Sequence, residues 1–113
     1  MHEMSIAKSI IDIVSGELSK AGEGRVTELE LEVGMLSGIE YESLDFALRV
    51  MQAGSVIAGS NILVRKPPGE ALCNDCGNLF ETDSPLKPCP ECESYGCSIV
   101  KGRELRVVSI LIE

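Results

Sequence analysis

The sequence has no tryptophan, two tyrosines and two phenylalanines, so aromatic residues make up only 4% of its 113 positions. Because large rings are scarce, the core must be built from aliphatic side chains. Basic residues are also few, with 10 lysines and arginines against 18 aspartates and glutamates, a formal net charge of -8. An acidic protein repels phosphate backbones and anionic lipid headgroups. We therefore expect neither nucleic acid nor a membrane among its partners.

Long apolar runs are absent as well. No stretch approaches the roughly 20 residues that a membrane-spanning helix needs, and the first residues lack the layout of a signal peptide. We therefore expect a cytoplasmic protein. The chain has a single histidine, no Walker-type phosphate loop and no nucleophile paired with a base, so it offers no set of catalytic groups. We predict that it is not an enzyme.

The spacing of apolar residues predicts an α+β fold. Intervals of three and four indicate helices over 4–20 and from about 41 to 53, whereas alternation indicates strands over 25–35 and 60–66. The closing stretch 104–113 is apolar in both phases. That pattern is typical of a strand that is covered on both faces or central in its sheet.

The last strand also suggests how the chain is divided. A cysteine-rich segment at about 70–100 offers this strand no core, so we expect the strand to return and join the earlier ones. Residues 1–66 plus 103–113 would then form a small α/β domain. Residues 67–102 would form a second domain inserted before the last strand.

Four of the five cysteines form two Cys-x-x-Cys pairs, Cys73 with Cys76 and Cys89 with Cys92. Two residues between thiolates let a tight turn aim both sulfurs at one ion, and two such turns complete a tetrahedral Zn(II) shell. The odd cysteine count and the missing secretion signal argue against a disulfide framework. An iron-thiolate centre, a redox dithiol and a catalytic zinc are the alternatives, but four thiolates leave a closed shell. We predict a structural zinc site.

Two further groups of side chains are less favoured candidates for metal binding. Cys97 is either a small, partly buried thiol or a labile alternative ligand, and the sequence does not decide between them. Glu28, Glu30 and Glu32 alternate along one strand. Like charges at this spacing usually form a solvated face that resists aggregation, and we favour that interpretation over a metal site.

The amino terminus carries a different set of donors. The α-amine of Met1 and the backbone nitrogen and imidazole of His2 can close consecutive chelate rings around one ion, with the three nitrogens in a plane. A backbone nitrogen or carboxylate of Glu3 completes a square. Ni(II) and Cu(II) favour this geometry. A solvent-accessible site at a chain end suits delivery of an ion better than storage, although a terminal histidine is more often simply solvated.

These features together resemble the HypA/HybF family of hydrogenase nickel-incorporation proteins over essentially the whole chain. The segments that carry the resemblance are Met1-His2-Glu3-Met4-Ser5-Ile6, Glu32 to Glu40, Phe46-Ala47-Leu48, the two cysteine pairs and the closing strand. The resemblance implies two helices on a three-stranded sheet with an inserted zinc domain. It also implies that His2, with Met1 and Glu3, binds nickel, and that Cys73, Cys76, Cys89 and Cys92 bind zinc.

The function implied is that of a metallochaperone that helps to insert nickel into the large subunit of [NiFe]-hydrogenase, working with a HypB-type GTPase. The zinc segments of some relatives contain histidines, whereas this one has none, so zinc-histidine switching cannot operate here. The alternative is a zinc-ribbon adaptor that binds a protein or nucleic acid without metal transfer. Such modules commonly display basic patches and stacking aromatics, which this sequence lacks.

Overall fold

The computed structural model describes residues 3–113, which form two helices and six strands. In chain order the elements are α1 (Glu3–Ala21), β1 (Val26–Val33), α2 (Tyr41–Gln52), β2 (Asn61–Arg65), β3 (Gly69–Cys73), β4 (Leu79–Thr82), β5 (Cys97–Lys101) and β6 (Leu105–Ile112). One sheet has the order β2-β1-β6 and the other has the order β4-β3-β5. The second sheet therefore lies in the chain between two strands of the first, which confirms the predicted fold class.

The chain divides into two compact units. The first contains Met1–Leu31, Ile39–Val64 and Arg106–Glu113, and the second contains Glu32–Gly38 and Arg65–Leu105. Backbone hydrogen bonds explain why the second unit includes residues 32–38. The N–H groups of Gly34 and Leu36 donate to the carbonyls of Glu104 and Gly102, each at 2.7 Å.

The first unit has an aliphatic core beneath its two helices. α1 buries Ala7, Ile10 and Val14 at intervals of three and four, and it packs against α2. The larger side chains that complete this core are Val26, Leu29, Leu31, Leu44, Leu48 and Ile57, each at most 1% exposed. Burying one such side chain contributes about 1.5–3 kcal/mol, so aliphatic residues suffice for this unit, as expected.

α1 ends where the sequence places a glycine. Gly22 adopts a left-handed φ of 87°, and its N–H donates to the carbonyls of Leu18 and Ser19 at 3.2 Å. A glycine just beyond the last helical turn satisfies carbonyls that would otherwise lack a partner. No helix within residues 3–113 combines the length and the apolar character needed to cross a membrane.

The position predicted for the last strand is wrong. β6 lies at an edge of its sheet and β1 is central, within the residues that the structure describes. Arg25 and Glu113 exchange backbone hydrogen bonds at 2.7 and 2.9 Å, an antiparallel arrangement beside β6. Leu111 of β6 remains 51% exposed. Apolar residues in both alternating phases of a strand reflect its composition. The place of a strand in a sheet depends instead on which distant strands pair with it.

Candidate metal centre

The four paired cysteines lie on two turns that have the same backbone hydrogen bonds. In the first turn the N–H of Gly77 donates to the Cys73 carbonyl at 2.9 Å. In the second the N–H of Glu93 donates to the Cys89 carbonyl at 2.8 Å. The N–H groups of Cys73 and Cys89 donate in turn to the carbonyls of Asn78 and Ser94, both at 2.9 Å. β3 ends at Cys73 and so anchors the first turn to the second sheet.

The two turns require the same unusual backbone conformation at the residue after their second cysteine. Gly77 has a φ of 77° and Glu93 a φ of 61°. Glu93 is the only residue other than glycine with a positive φ in the described chain. Because a Cβ atom crowds the following carbonyl in this region, the first turn carries the residue best suited to the position and the second turn carries a strained one.

The four sulfurs form one cluster. Their Sγ atoms all lie within 4.8 Å of one another. The Sγ atoms of Cys73 and Cys92 are 3.5 Å apart, and those of Cys76 and Cys89 are 3.6 Å apart. A tetrahedral ion with metal-sulfur bonds of about 2.3 Å places its sulfurs roughly 3.8 Å apart. The four thiols therefore fit a single tetrahedral ion, with Cys73 and Cys89 buried and Cys76 and Cys92 exposed.

Backbone donors favour the thiolate form of the two buried cysteines. The N–H of Cys76 is 3.5 Å from the sulfur of Cys73 and is the main reason that the pKa of this thiol falls to about 6. Burial opposes ionisation of Cys89, but N–H donors of Cys92 and Glu91 outweigh it and lower its pKa. The Asn78 amide adds a contact at 3.7 Å to the Cys89 sulfur.

The two exposed cysteines respond in the opposite direction. The N–H of Ser94 favours the Cys92 thiolate, but the neighbouring sulfurs outweigh it and raise the pKa of Cys92 to about 12. The Asn78 N–H likewise favours the Cys76 thiolate, yet burial and the neighbouring sulfurs raise its pKa. Four close thiols compete for negative charge in this way. A divalent cation removes the conflict because it stabilises every thiolate that it touches.

Cys97 lies beside this cluster without belonging to it. It is the first residue of β5 and is paired directly with Cys73 across β3 and β5. Sequence spacing alone gave no indication of this pairing, since the register of two strands brings the residues together. Within residues 3–113, the strand glutamates Glu28, Glu30 and Glu32 belong to no cluster with metal-binding geometry.

The predicted nickel ligands Met1 and His2 lie outside the described residues, so their role stays a prediction. Glu3 is the first residue of α1, and its carboxylate accepts a hydrogen bond from the Glu40 N–H at 3.2 Å. An open groove of about 600 Å³ lies beside it. The groove is lined by Glu3, Met4, Ser5, Glu40, Glu42, Ser43, Phe46 and Ala47. Three carboxylates at one groove make this end of α1 attractive to cations.

Comparisons with known proteins also point to a metal-binding protein, in agreement with the geometry of the four cysteines. A family model described as "Hydrogenase/urease nickel incorporation, metallochaperone, hypA" matches residues 1–112. The hydrogenase maturation factor HypA of Parabacteroides distasonis is 44% identical over 100% of this chain and 98% of its own length. The factor of the same name from Prosthecochloris aestuarii is 40% identical, with 100% of both chains covered.

Two solution structures share the fold. The Ni metallochaperone HypA from Helicobacter pylori has a TM-score of 0.69 at 21% identity, covering 99% of this chain and 97% of its own. A second HypA protein has a TM-score of 0.72 at 22% identity, covering 100% and 97%. With a family match along nearly the whole sequence and relatives of 40% identity or more, this chain belongs to the HypA family of hydrogenase/urease nickel-incorporation metallochaperones.

Proposed function

We propose that this protein is a nickel metallochaperone of [NiFe]-hydrogenase maturation that binds Ni(II) at its amino terminus and passes it to the hydrogenase large subunit. The observation that carries the proposal is the family match over residues 1–112, a range that contains both the terminal nitrogen donors and the two cysteine pairs. The curated relatives are named as hydrogenase maturation factors, which supports the same client.

The nickel ligands are the α-amine of Met1, the backbone nitrogen and imidazole of His2, and a donor of Glu3. Chelate rings hold these nitrogens in one plane, which suits Ni(II) and disfavours tetrahedral Zn(II). Support from the described residues comes from Glu3, whose carboxylate lies at an acidic groove shared with Glu40 and Glu42. The formal net charge of -8 adds a long-range attraction for cations.

Delivery follows from the placement of these donors at a chain end. Ligands at such a site detach one at a time, so a partner with a tighter site can remove the ion without unfolding the donor. The chain itself supplies no catalytic groups, and the energy for insertion comes from a HypB-type GTPase. Free thiols are maintained in a reducing compartment, which is consistent with action in the cytoplasm.

The four cysteines hold a structural Zn(II). The second unit needs this metal because residues 65–105 contribute only Ala71, Cys73 and Cys89 to the buried apolar side chains. Segments of this size rarely fold by burial alone, and zinc binding to four thiolates releases on the order of 10 kcal/mol or more. We assign residues 67–102 to the zinc-binding domain and residues 1–66 plus 103–113 to the nickel-binding domain.

A zinc-ribbon adaptor without metal transfer is the less favoured function. Its recognition surface would need basic or stacking side chains, whereas the chain is acidic and has few aromatics. Among the exposed large apolar side chains of the second unit, which include Leu79 and Leu86, Tyr95 is the one aromatic.

The decisive experiment is a Ni(II) titration of three proteins followed by native mass spectrometry. These are the protein that begins at Met1, the same protein with two residues added before Met1, and His2→Ala. We expect the first to bind one Ni(II), and the other two to bind at least tenfold more weakly, because an amide replaces the amine or the imidazole is lost. Each protein should retain one zinc, which serves as the control for folding.

Equal nickel affinity in the extended protein would exclude the chelate at the chain start. A complementary control is Glu17→Gln, which removes a carboxylate of α1 that pairs with Lys20 far from the groove. This variant should bind nickel as the unmodified protein does. A loss of nickel in Glu17→Gln as large as that in His2→Ala would mean that overall charge, rather than the terminal donors, determines binding.

A further inference from the structure

Cys97 is positioned against the most deeply buried side of the thiol cluster. It pairs with Cys73 across β3 and β5, and the N–H of Asn74 donates to the Gly96 carbonyl at 2.9 Å. This bond flanks the pair, so Cys73 and Cys97 occupy a site where the two residues exchange no backbone hydrogen bonds. Side chains at such sites lie closest together, with Cα atoms roughly 4.5 Å apart.

A second contact joins Cys97 to the other cysteine turn. The Cys97 sulfur is 3.5 Å from the Ser94 carbonyl oxygen, to which its S–H donates. The same oxygen accepts the N–H of Cys89 at 2.9 Å. Cys97 therefore touches the backbone that shapes one turn and the side chain that begins the other. Its half-buried thiol therefore lies directly beside the four-sulfur cluster, although it is not one of the four sulfurs that form it.

The four ligands differ in how well they are protected. Cys73 is 1% exposed and Cys89 0% exposed, whereas Cys76 and Cys92 are open to solvent. Exposed thiolates are the ones that oxidants and competing chelators reach. Loss of a metal-sulfur bond will therefore begin at Cys76 or Cys92, while the two ligands nearest to Cys97 remain in place.

We propose that Cys97 is a reserve zinc ligand that takes a coordination position when Cys76 or Cys92 is lost. The inference rests on the proposed four-thiolate zinc centre. No electrons are exchanged in the substitution. The bond between Cys97 and zinc forms as the thiol proton leaves to solvent, and the departing thiolate takes up a proton. Zinc tolerates a transient fifth ligand, so the exchange proceeds without release of the ion.

A reserve ligand at Cys97 sets a hierarchy among the other four cysteines. Replacement of an exposed ligand is tolerated because Cys97 compensates for it. Replacement of a buried ligand is not, because Cys73 and Cys89 hold the turns against which Cys97 lies.

The test compares Cys92→Ser and Cys76→Ser, each with and without Cys97→Ser. Zinc affinity is measured by competition with a chelator under reducing conditions, and the number of thiolates by the charge-transfer absorption of the Co(II)-substituted protein. Each single variant should keep one zinc with a four-thiolate spectrum. The added Cys97→Ser change should lower the zinc affinity by about 100-fold, because one of four thiolates contributes roughly that part of the binding free energy.

Three controls separate the possible failures. Val100→Ala, three residues along β5 at an exposed position, should not weaken zinc binding in the Cys92→Ser background. Cys97→Ser alone should match the unmodified protein, since the four ligands are intact. If the unmodified protein bound no zinc, the zinc centre itself would be refuted. If the unmodified protein bound zinc but the single and double variants had equal zinc affinities, only the reserve ligand would be refuted. A three-thiolate spectrum in Cys92→Ser would refute the reserve ligand in the same way.

Discussion

The strained backbone of Glu93 in the second cysteine turn predicts that two substitutions change the zinc affinity in opposite directions. Glu93 holds a φ of 61° where the equivalent Gly77 of the first turn holds 77°. We expect Glu93→Gly to tighten zinc binding and Gly77→Ala to weaken it, because the turns must adopt these conformations to bring four sulfurs together. The added Cβ at Gly77 meets no atom within 4 Å, so its effect is purely conformational.

The magnitudes follow from the cost of the left-handed region. A residue with a Cβ loses about 1–2 kcal/mol there, and the smaller entropy of an unfolded chain with alanine offsets roughly 0.4–1 kcal/mol of this loss. The net loss of about 0.5–1 kcal/mol predicts zinc binding weaker by about 2- to 5-fold in Gly77→Ala. Glycine at position 93 removes this strain but adds roughly 0.4–1 kcal/mol of entropy to the unfolded chain. The net gain of about 0.5–1 kcal/mol predicts zinc binding tighter by about 2- to 5-fold.

Competition titration against a zinc chelator at fixed pH measures both effects. Glu91→Gly is the matched control, since it also replaces a glutamate of this turn by glycine, but at a residue without a positive φ. It should not tighten binding. If Glu91→Gly and Glu93→Gly changed the affinity equally, charge rather than backbone strain would be responsible. If Gly77→Ala left the affinity unchanged, the reasoning from φ would be refuted.

Three stability predictions can be checked by urea unfolding monitored by circular dichroism with zinc saturating. Gly34→Ala should lower the free energy of unfolding by about 2–4 kcal/mol, because its Cβ would meet backbone atoms of Gly102 and the Glu104 nitrogen. A decrease below 0.5 kcal/mol would contradict the close approach. Gly16→Ala, inside α1 with no atom within 4 Å, should gain about 0.5–1 kcal/mol, and any loss would contradict it. Leu48→Ala should lower the free energy of unfolding by about 2–5 kcal/mol, because Leu48 is 1% exposed. A decrease under 1 kcal/mol would contradict its place in the core.

The cysteine turns show how far local pattern reaches. Each turn is closed by hydrogen bonds between residues only four or five apart, such as Gly77 to Cys73, so the spacing of the pairs was enough to predict them. The helix of residues 3–21 was predictable for the same reason, because its buried face repeats every three or four residues. Even so, the same spacing of three and four from Ile6 and Ile10 includes Ile13, which is 52% exposed, because the width of the buried face depends on what packs against it.

The amino-acid sequence by itself determined the fold class, the four clustered cysteines and the family, because periodicity, turn chemistry and motif spacing all act over a few residues. Only the tertiary structure decided that β6 lies at a sheet edge, that Cys97 sits opposite Cys73, and that the Glu3 carboxylate meets the start of α2. These relations join distant parts of the chain. They depend on which strands pair and in which register, and no local pattern encodes that choice.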